Sequence, residues 1–309
     1  PVYTLGGDDK GFNYTVTYQG RVNYDRTFNA THHLYALYLI SRQSYVNKHE
    51  LSDNDQSMTW RVGYDYKHRY MVEFNAAYNG NDRFVGNKKF GWFPAISVGW
   101  NVSEEKFFQK LFPFFDLFKL RASYGLVGSD AFASGAPHFL YQNNIGIGSA
   151  HKFWTGLPTS EISKQGPGFY VLAVQDAGWE HVKKFDIGFD MMLFNQLNIT
   201  FDYFQDKRER ILMSRASWPS MLGYWGSKPW SNIGEVENQG FELSLNWTKQ
   251  FGKDLTLDLR GNFTYNQNEY KYVDEPSYPY VWQTNTGKPL NTVKGYIAEG
   301  LFASEEEIA

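Results

Sequence analysis

Apolar and polar residues alternate with a period of two along most of this chain. Residues 12–24 place Tyr14, Val16, Tyr18, Val22 and Tyr24 on one face and Asn13, Thr15, Thr17, Gln19, Arg21 and Asn23 on the other. Such alternation marks a strand with one apolar and one polar face. It returns at 58–66, 70–79, 92–102, 118–126, 185–193, 197–203, 241–247 and 255–265. In NIGEVENQGFELSLNW, Phe241, Leu243, Leu245 and Trp247 oppose Glu242, Ser244 and Asn246. Residues 31–42 are less regular, being apolar on both faces around Leu34–Ile40. With that segment the pattern predicts ten strands. Their length, about nine to eleven residues, is what a tilted strand needs to cross a bilayer; soluble strands run nearer five or six.

The predicted connections sort by parity. Asp25–Ala30, Lys67–Arg69, Asn195–Gln196 and Thr248–Asp254 are short, and the medium link Ser103–Leu117 belongs with them. The links at 43–57, 80–91, 127–183 and 205–237 are long. A barrel in an outer membrane has short turns on one side and long loops on the other. A soluble sandwich has no reason to sort its loops this way. Aromatic residues flank the short turns at Tyr24, Tyr66, Tyr70, Phe194 and Trp247. They suit an interfacial girdle, although aromatics are favoured in strands generally. SEEKFFQKL, with Ser103 and the Glu104–Glu105 pair, reads as a helix start. Pro94 is awkward inside a strand, because proline removes a ladder donor.

Composition sharpens the picture. Aromatics make up 18% of the 309 residues, yet mean hydropathy is −0.51. That combination fits strands with one greasy and one wet face. Net charge is −3, which excludes the basic field a nucleic-acid binder needs. With no cysteine, disulfide scaffolds and thiolate metal sites are excluded. LYALYLI is far short of a spanning helix, so a membrane protein built from this chain is a barrel. PVYTL has no initiator Met and no signal-peptide character, and SEEEIA reads as the start of a polar helix; both ends read as cut. The expected fold is an all-β antiparallel transmembrane β-barrel, here an incomplete run of about ten strands. Leu243 and Leu257 then face lipid and Thr256 faces the bore.

Five stretches in order carry a resemblance: RVGYDYKHRY (61–70), GWFPAISVGWNVSEEKF (91–107), LRASYGLVG (120–128), 232–247, and GKPLNTVKGYIAEGLFASEEEI (287–308). From about residue 12 to the end the chain resembles the barrel of SusC/RagA-type TonB-dependent transporters of Bacteroidetes. The resemblance implies a piece, spanning 1–309, of a larger plugged barrel whose plug domain and C-terminal strands are absent. It implies import of glycans, oligosaccharides or peptides, driven through the TonB complex by segments outside this chain. It also implies an outer-membrane lipid environment and a SusD-like surface lipoprotein as partner.

Candidate sites follow. Trp218, Tyr224, Trp225 and Trp230 in SWPSMLGYWGSKPW are a candidate substrate-binding cluster, since aromatic faces stack on sugar rings. The plainer account is packing against loops or a partner. Phe153, Trp154, Phe169 and Tyr170, in a loop whose length calls for function or disorder, pose the same choice. Arg21, Arg61, Asp65, Glu73, Arg121, Asp186, Asp190, Asp202, Glu242, Asp258 and Arg260 face the bore, as a permeation path or, preferably, a hydrogen-bonded wall. Asp53–Asp55 and Asn79–Asp82 offer oxygen ligands for Ca²⁺ without EF-hand spacing, and loop polarity explains them better. His32 and His33 point to opposite faces of a strand. No catalytic, cofactor or metal motif stands out, so no enzymatic activity is expected. Two alternatives stay open: a glycan-degrading surface enzyme on a soluble β-fold, using two loop carboxylates, and a structural or adhesive outer-membrane barrel.

Overall fold

The computed structural model describes residues 13–47, 52–131, 136–155, 162–219, 221, 228–298 and 300. Ten strands form one antiparallel sheet: β1 (Asn13–Phe28), β2 (His32–Asn47), β3 (Asp53–Tyr66), β4 (Tyr70–Asn81), β5 (Phe90–Asn101), β6 (Phe115–Ser129), β9 (Glu180–Leu193), β10 (Leu197–Ser214), β11 (Trp230–Phe251) and β12 (Leu255–Tyr272). They pair in chain order. The one excursion is a separate hairpin, β7 (Asn144–Thr155) and β8 (Ile162–Val171), inserted between β6 and β9. The less regular segment 31–42 lies within β2, paired on both sides. The sheet is not closed, because β1 and β12 each have one neighbour.

Register keeps the apolar face continuous. Val22 lies opposite Tyr38, Tyr38 opposite Trp60, and Trp60 opposite Ala76. Val98, Ala122, Ile187, Tyr203, Phe241 and Tyr265 form another such row across six strands. A slip of one residue at any pair would put carboxylates and amides among these side chains. Among the described residues no other sheet covers the apolar face: Val62, Phe74, Ile96 and Phe263 are 45–55% exposed. Phe241 and Leu243 are half-covered and Leu257 is exposed. These residues are therefore not sealed in a sandwich, and hydrocarbon is the medium that suits them.

Two rows of rings border the apolar band. Tyr66, Tyr70 and Trp100 stack beside the short turns, with centroids 6.5 Å apart at each step. Tyr38, Trp60, Trp92, Tyr78 and Phe90 make the outer row, at 5.1–6.2 Å. Tyr70 to Tyr78 spans roughly 26 Å of strand, which at a tilt of about 35–45° rises about 20 Å, within an apolar band about 25 Å tall. The strands run 12–22 residues, longer than expected, because their ladders continue past the outer ring row into the loops.

The short turns are tight. Asn29–Ala30, Lys67–His68 and Phe194–Asn195 have φ of 50–55°, the left-handed backbone of a type I′ turn, inside links whose ladders close at Phe28–His32, Tyr66–Tyr70 and Leu193–Leu197. Three of these turn residues are neither Gly nor Asn nor His, so register outweighs a local cost of roughly 1–2 kcal/mol per residue. Backbone bonds step between neighbouring hairpins, with Lys67 N–H donating to Thr31 O (2.8 Å), Asn101 N–H to Arg69 O (2.7 Å) and Thr248 N–H to Gln196 O (2.9 Å). The medium link holds a short helix, α1 (Lys106–Leu111). Its N-cap Glu105 makes no side-chain cap. Instead Glu105 accepts from the Tyr70 hydroxyl (2.5 Å) and lies 3.7 Å from Arg69. Pro94 pairs with Ala76 in the β4–β5 ladder, and on its other side the β5–β6 pairing starts only at Ala95, so β6 asks no donor of it there. The suspected helix at SEEEIA lies outside the described residues.

Leu243 lies well inside the band, whereas Leu257 pairs with Lys249 near the turn-side end. Leu243→Arg should therefore cost about 2–4 kcal/mol and Leu257→Arg only about 0–1 kcal/mol. Thr256→Arg, on the polar face, should change stability by less than about 0.5 kcal/mol. Urea titration of the full-length protein in lipid vesicles measures all three. Unchanged stability of Leu243→Arg would overturn the lipid-facing assignment.

Candidate functional site

The polar face is bound together by side-chain networks that cross strands. On β2–β4 the Tyr35 hydroxyl donates to Glu73, which also accepts from Asn75 (2.6 Å). Arg61 donates to Asn75 (2.8 Å) and lies 3.7 Å from Glu73. Tyr35 can lie flat across its neighbour because residue 63 is glycine: a Cβ there would sit 2.0 Å from the Tyr35 ring. On β6, β9 and β10, Arg121 bridges Asp202 (2.7 Å) and Asp190 (3.3 Å), and Thr200 donates to Asp190 (3.2 Å). On β11–β12, Ser244 pairs with Asn262 (2.8 Å) and Thr248 with Asp258 (2.6 Å). Between the first two networks lies a cleft of about 410 Å³, lined in part by His33, Tyr35, Glu73, Lys119, Arg121 and Asp186. Charges of both signs neutralise one another across this face. That makes a wet, mixed wall rather than a single-sign filter, and Asp190 and Asp202 share one guanidinium instead of forming an acid–base pair.

At the outer end, loops fold onto the polar face. Phe84, Phe93, Leu140, Ala177, Trp179 and Leu212 form a buried cluster. Phe93 shares strand parity with Ser97, so the cluster belongs to the bore side. Its ring lies over Gly128, where a Cβ would come within 1.9 Å. Trp179 packs 5.4 Å from both Phe84 and Phe93. Asn232 ties the loop down, donating to the carbonyls of Gly178 (2.9 Å) and Arg210 (2.8 Å). Buried Glu180 accepts from Arg208 and from Leu212 N–H (3.1 Å). The described residues of segment 127–183 are thus no unstructured loop. They carry a hairpin and contribute to a core, which their glycine-rich sequence does not announce.

The predicted aromatic residues do not converge among the described residues. Trp230 opens β11 opposite Ser214 and packs, half-buried, against the buried cluster. Trp218 sits in a turn whose N–H donates to Arg215 O (3.2 Å). Tyr224 and Trp225 lie outside the described residues. Phe169 and Tyr170 are half-exposed on β8. Phe153 and Trp154 belong to β7, opposite Lys164 and Ser163. A pair not anticipated is Tyr280–Trp282, stacked at 5.8 Å and 14° and about 60% exposed. The stretch SYPYVW held the signal. Nearby, Asp274 is buried and joins two segments, accepting from Ser217 N–H (3.0 Å) and hydroxyl (2.8 Å) and lying 3.3 Å from Arg215. Burial alone would raise its pKa, but these Ser217 bonds and the guanidinium outweigh that and hold it below the ordinary carboxylate value.

The two acidic runs, distant in sequence, lie side by side beyond the outer ring row. Asn81 donates to Asp55 (2.6 Å) and to Asp130. Asn54 donates through its side chain (2.8 Å) and backbone (3.1 Å) to Asp82, and Arg83 to Asp53 (3.0 Å). Burial, with Asp53 and Asp130 close by, raises the pKa of Asp55. His138, from the long loop, reaches the same place. His32 and His33 diverge as expected, to the Tyr64 hydroxyl (2.7 Å) and to Asp25 (3.0 Å).

Residues 2–303 match the family model described as TonB dependent receptor-like, beta-barrel. TonB-dependent receptor P39 of Formosa agariphila is 31% identical over 82% of this chain and 23% of its own length. TonB-dependent receptor SusC of Bacteroides thetaiotaomicron is 28% identical over 68% of the chain and 20% of its own. The chain thus spans about a quarter or less of these relatives. Among solved structures, the RagAB peptide importer in its closed-closed state superposes with TM-score 0.67 at 18% identity, over 84% of this chain and 30% of that one. The siderophore receptor PirA of Pseudomonas aeruginosa gives 0.52 at 12%.

Gly128→Ala should lift Phe93 out of its seat and destabilise the outer cluster by about 1–3 kcal/mol, read as faster proteolysis of the β6–β9 connection with the strands intact. The Asp274 tie follows linkage for a depressed carboxylate: its stabilisation is full above about 3.9, the ordinary Asp value, and is lost as pH falls through the lower folded value. The protection factor of the Ser217 amide should stay constant from pH 7 to about 4 and fall on further acidification; Asp274→Asn should lose that protection at every pH.

Proposed function

Because this chain belongs to the TonB dependent receptor-like β-barrel family, we propose that it is a stretch of the wall of an outer-membrane importer of the SusC/RagA type. Its strands lie in the bacterial outer membrane. One observation carries the reading: across ten strands the register keeps an uncovered apolar face on one side and a networked polar face on the other. Such a sheet separates hydrocarbon from a wet bore. The whole protein takes up oligosaccharides or peptides, is energised through TonB by segments outside this chain, and works with a SusD-like lipoprotein at the surface. What supports this is the kinship with SusC by sequence and with the RagAB importer by fold. The carboxylates of the wall are held in structural pairs: Arg121 neutralises Asp190 and Asp202, and Glu73 is held by Tyr35 and Asn75. The family kinship supports transport over the hydrolase alternative.

Deletion of the full-length gene should abolish growth on the imported oligosaccharide or peptide, and an uncoupler should stop uptake of the labelled compound by wild-type cells. Uptake indifferent to both would reject the importer reading and leave a structural or adhesive barrel.

A further inference from the structure

We propose that Asp53, Asp82 and His138 form a binding site for a divalent transition cation of the Zn²⁺ type on the outer rim of the barrel. Each contributes one atom, and the three atoms lie within 4.8 Å of one another. They come from three separate elements: the start of β3, the residue after β4, and the loop between β6 and β7. Asp53 Oδ1, Asp82 Oδ1 and His138 Nε2 are each buried and have no hydrogen-bond partner among the described residues. Orphaned buried polar atoms are rare, and one such atom by itself calls for an explanation; here three converge.

The geometry favours a shared ion over a simple ion pair. His138 Nε2 is 3.6 Å from Asp53 Oδ1 and 3.9 Å from Asp82 Oδ1, too far for hydrogen bonds. Ligands about 2.1 Å from a tetrahedral centre sit roughly 3.4 Å apart, so a small closing movement around a cation would satisfy all three. The other carboxylate oxygens are already occupied and aim the free ones inward. Asp53 Oδ2 is held by Arg83, and Asp82 Oδ2 by the backbone and side-chain amides of Asn54. Partners of this kind orient metal ligands generally. Asp53 and Asp82 supply two negative charges to a divalent ion, and the nearby carboxylates of Asp55 and Asp130 offset the Arg83 guanidinium. The imidazole selects a Zn²⁺-like ion over Ca²⁺, which takes oxygen ligands. Three protein ligands leave a fourth position for water or an incoming ligand. Bound metal would clasp the His138 loop to the ends of β3 and β4, fixing the outer mouth.

The test uses the full-length protein in detergent, stripped with chelator, dialysed and titrated with Zn²⁺ against a chromophoric chelator. One equivalent should bind, and His138→Gln and Asp82→Asn should each weaken it by at least about tenfold. Heat-modifiable gel migration verifies folding, with Asp53→Asn replacing any variant that fails. His68→Gln, in a turn at the opposite end, should bind as wild type. Zn²⁺ should also slow proteolysis of the His138 loop in wild type and not in His138→Gln. Absence of a bound equivalent, affinity unaltered by the substitutions, or Ca²⁺ binding as tightly with His138→Gln unaffected would each overturn the site.

Discussion

The whole structure rests on a rule of the hydrocarbon phase: a backbone amide there has no water to turn to, so its partner must be the next strand. Each described strand of the large sheet except the two edges is laddered on both sides, and strands succeed one another without crossing. The side-chain period of two then does the rest. Once the ladders are in register, the alternating Tyr, Phe, Leu and Val fall on one face, and Arg61, Glu73, Arg121, Asp190 and Asp202 fall on the other, where Tyr35 and Phe93 join them. Even the turns yield to this demand, since Ala30, Lys67 and Phe194 accept left-handed backbone to keep the hairpin links short.

The polar face has its own constraint. Ionised groups in a bore of limited width need partners, and the strands supply them laterally, through triads that reach across three strands. Arg121 with Asp190 and Asp202 is one, and Tyr35 with Glu73 and Asn75 another. These bonds also stiffen the sheet against shear. The outer end is different in kind. There the loops build a small hydrophobic core around Phe93 and Trp179 on the bore side, so the mouth is structured by packing as well as by charge.

Strand alternation and loop parity were legible in the residues because both are local properties: one repeats every second residue, the other follows from counting between repeats. The bilayer reading, the ten strands and the wall-like character of the bore charges all came from them. Trp230 shows the limit. As a Trp in an aromatic loop it suggested ligand contact; it packs against the buried outer cluster, and nothing within SWPSMLGYWGSKPW says what lies beneath.

Sequence alone thus determined which side chains share a face and which medium each face requires, because a strand's geometry leaves no freedom in that choice. Only the tertiary structure decided which distant loops meet. Asp53, Asp82 and His138 are separated by dozens of residues and carry no spacing motif. They converge because antiparallel pairing brings the ends of β3 and β4 together and the long loop folds back over them. Contacts set by loop closure depend on the whole sheet, and no short stretch of residues encodes them.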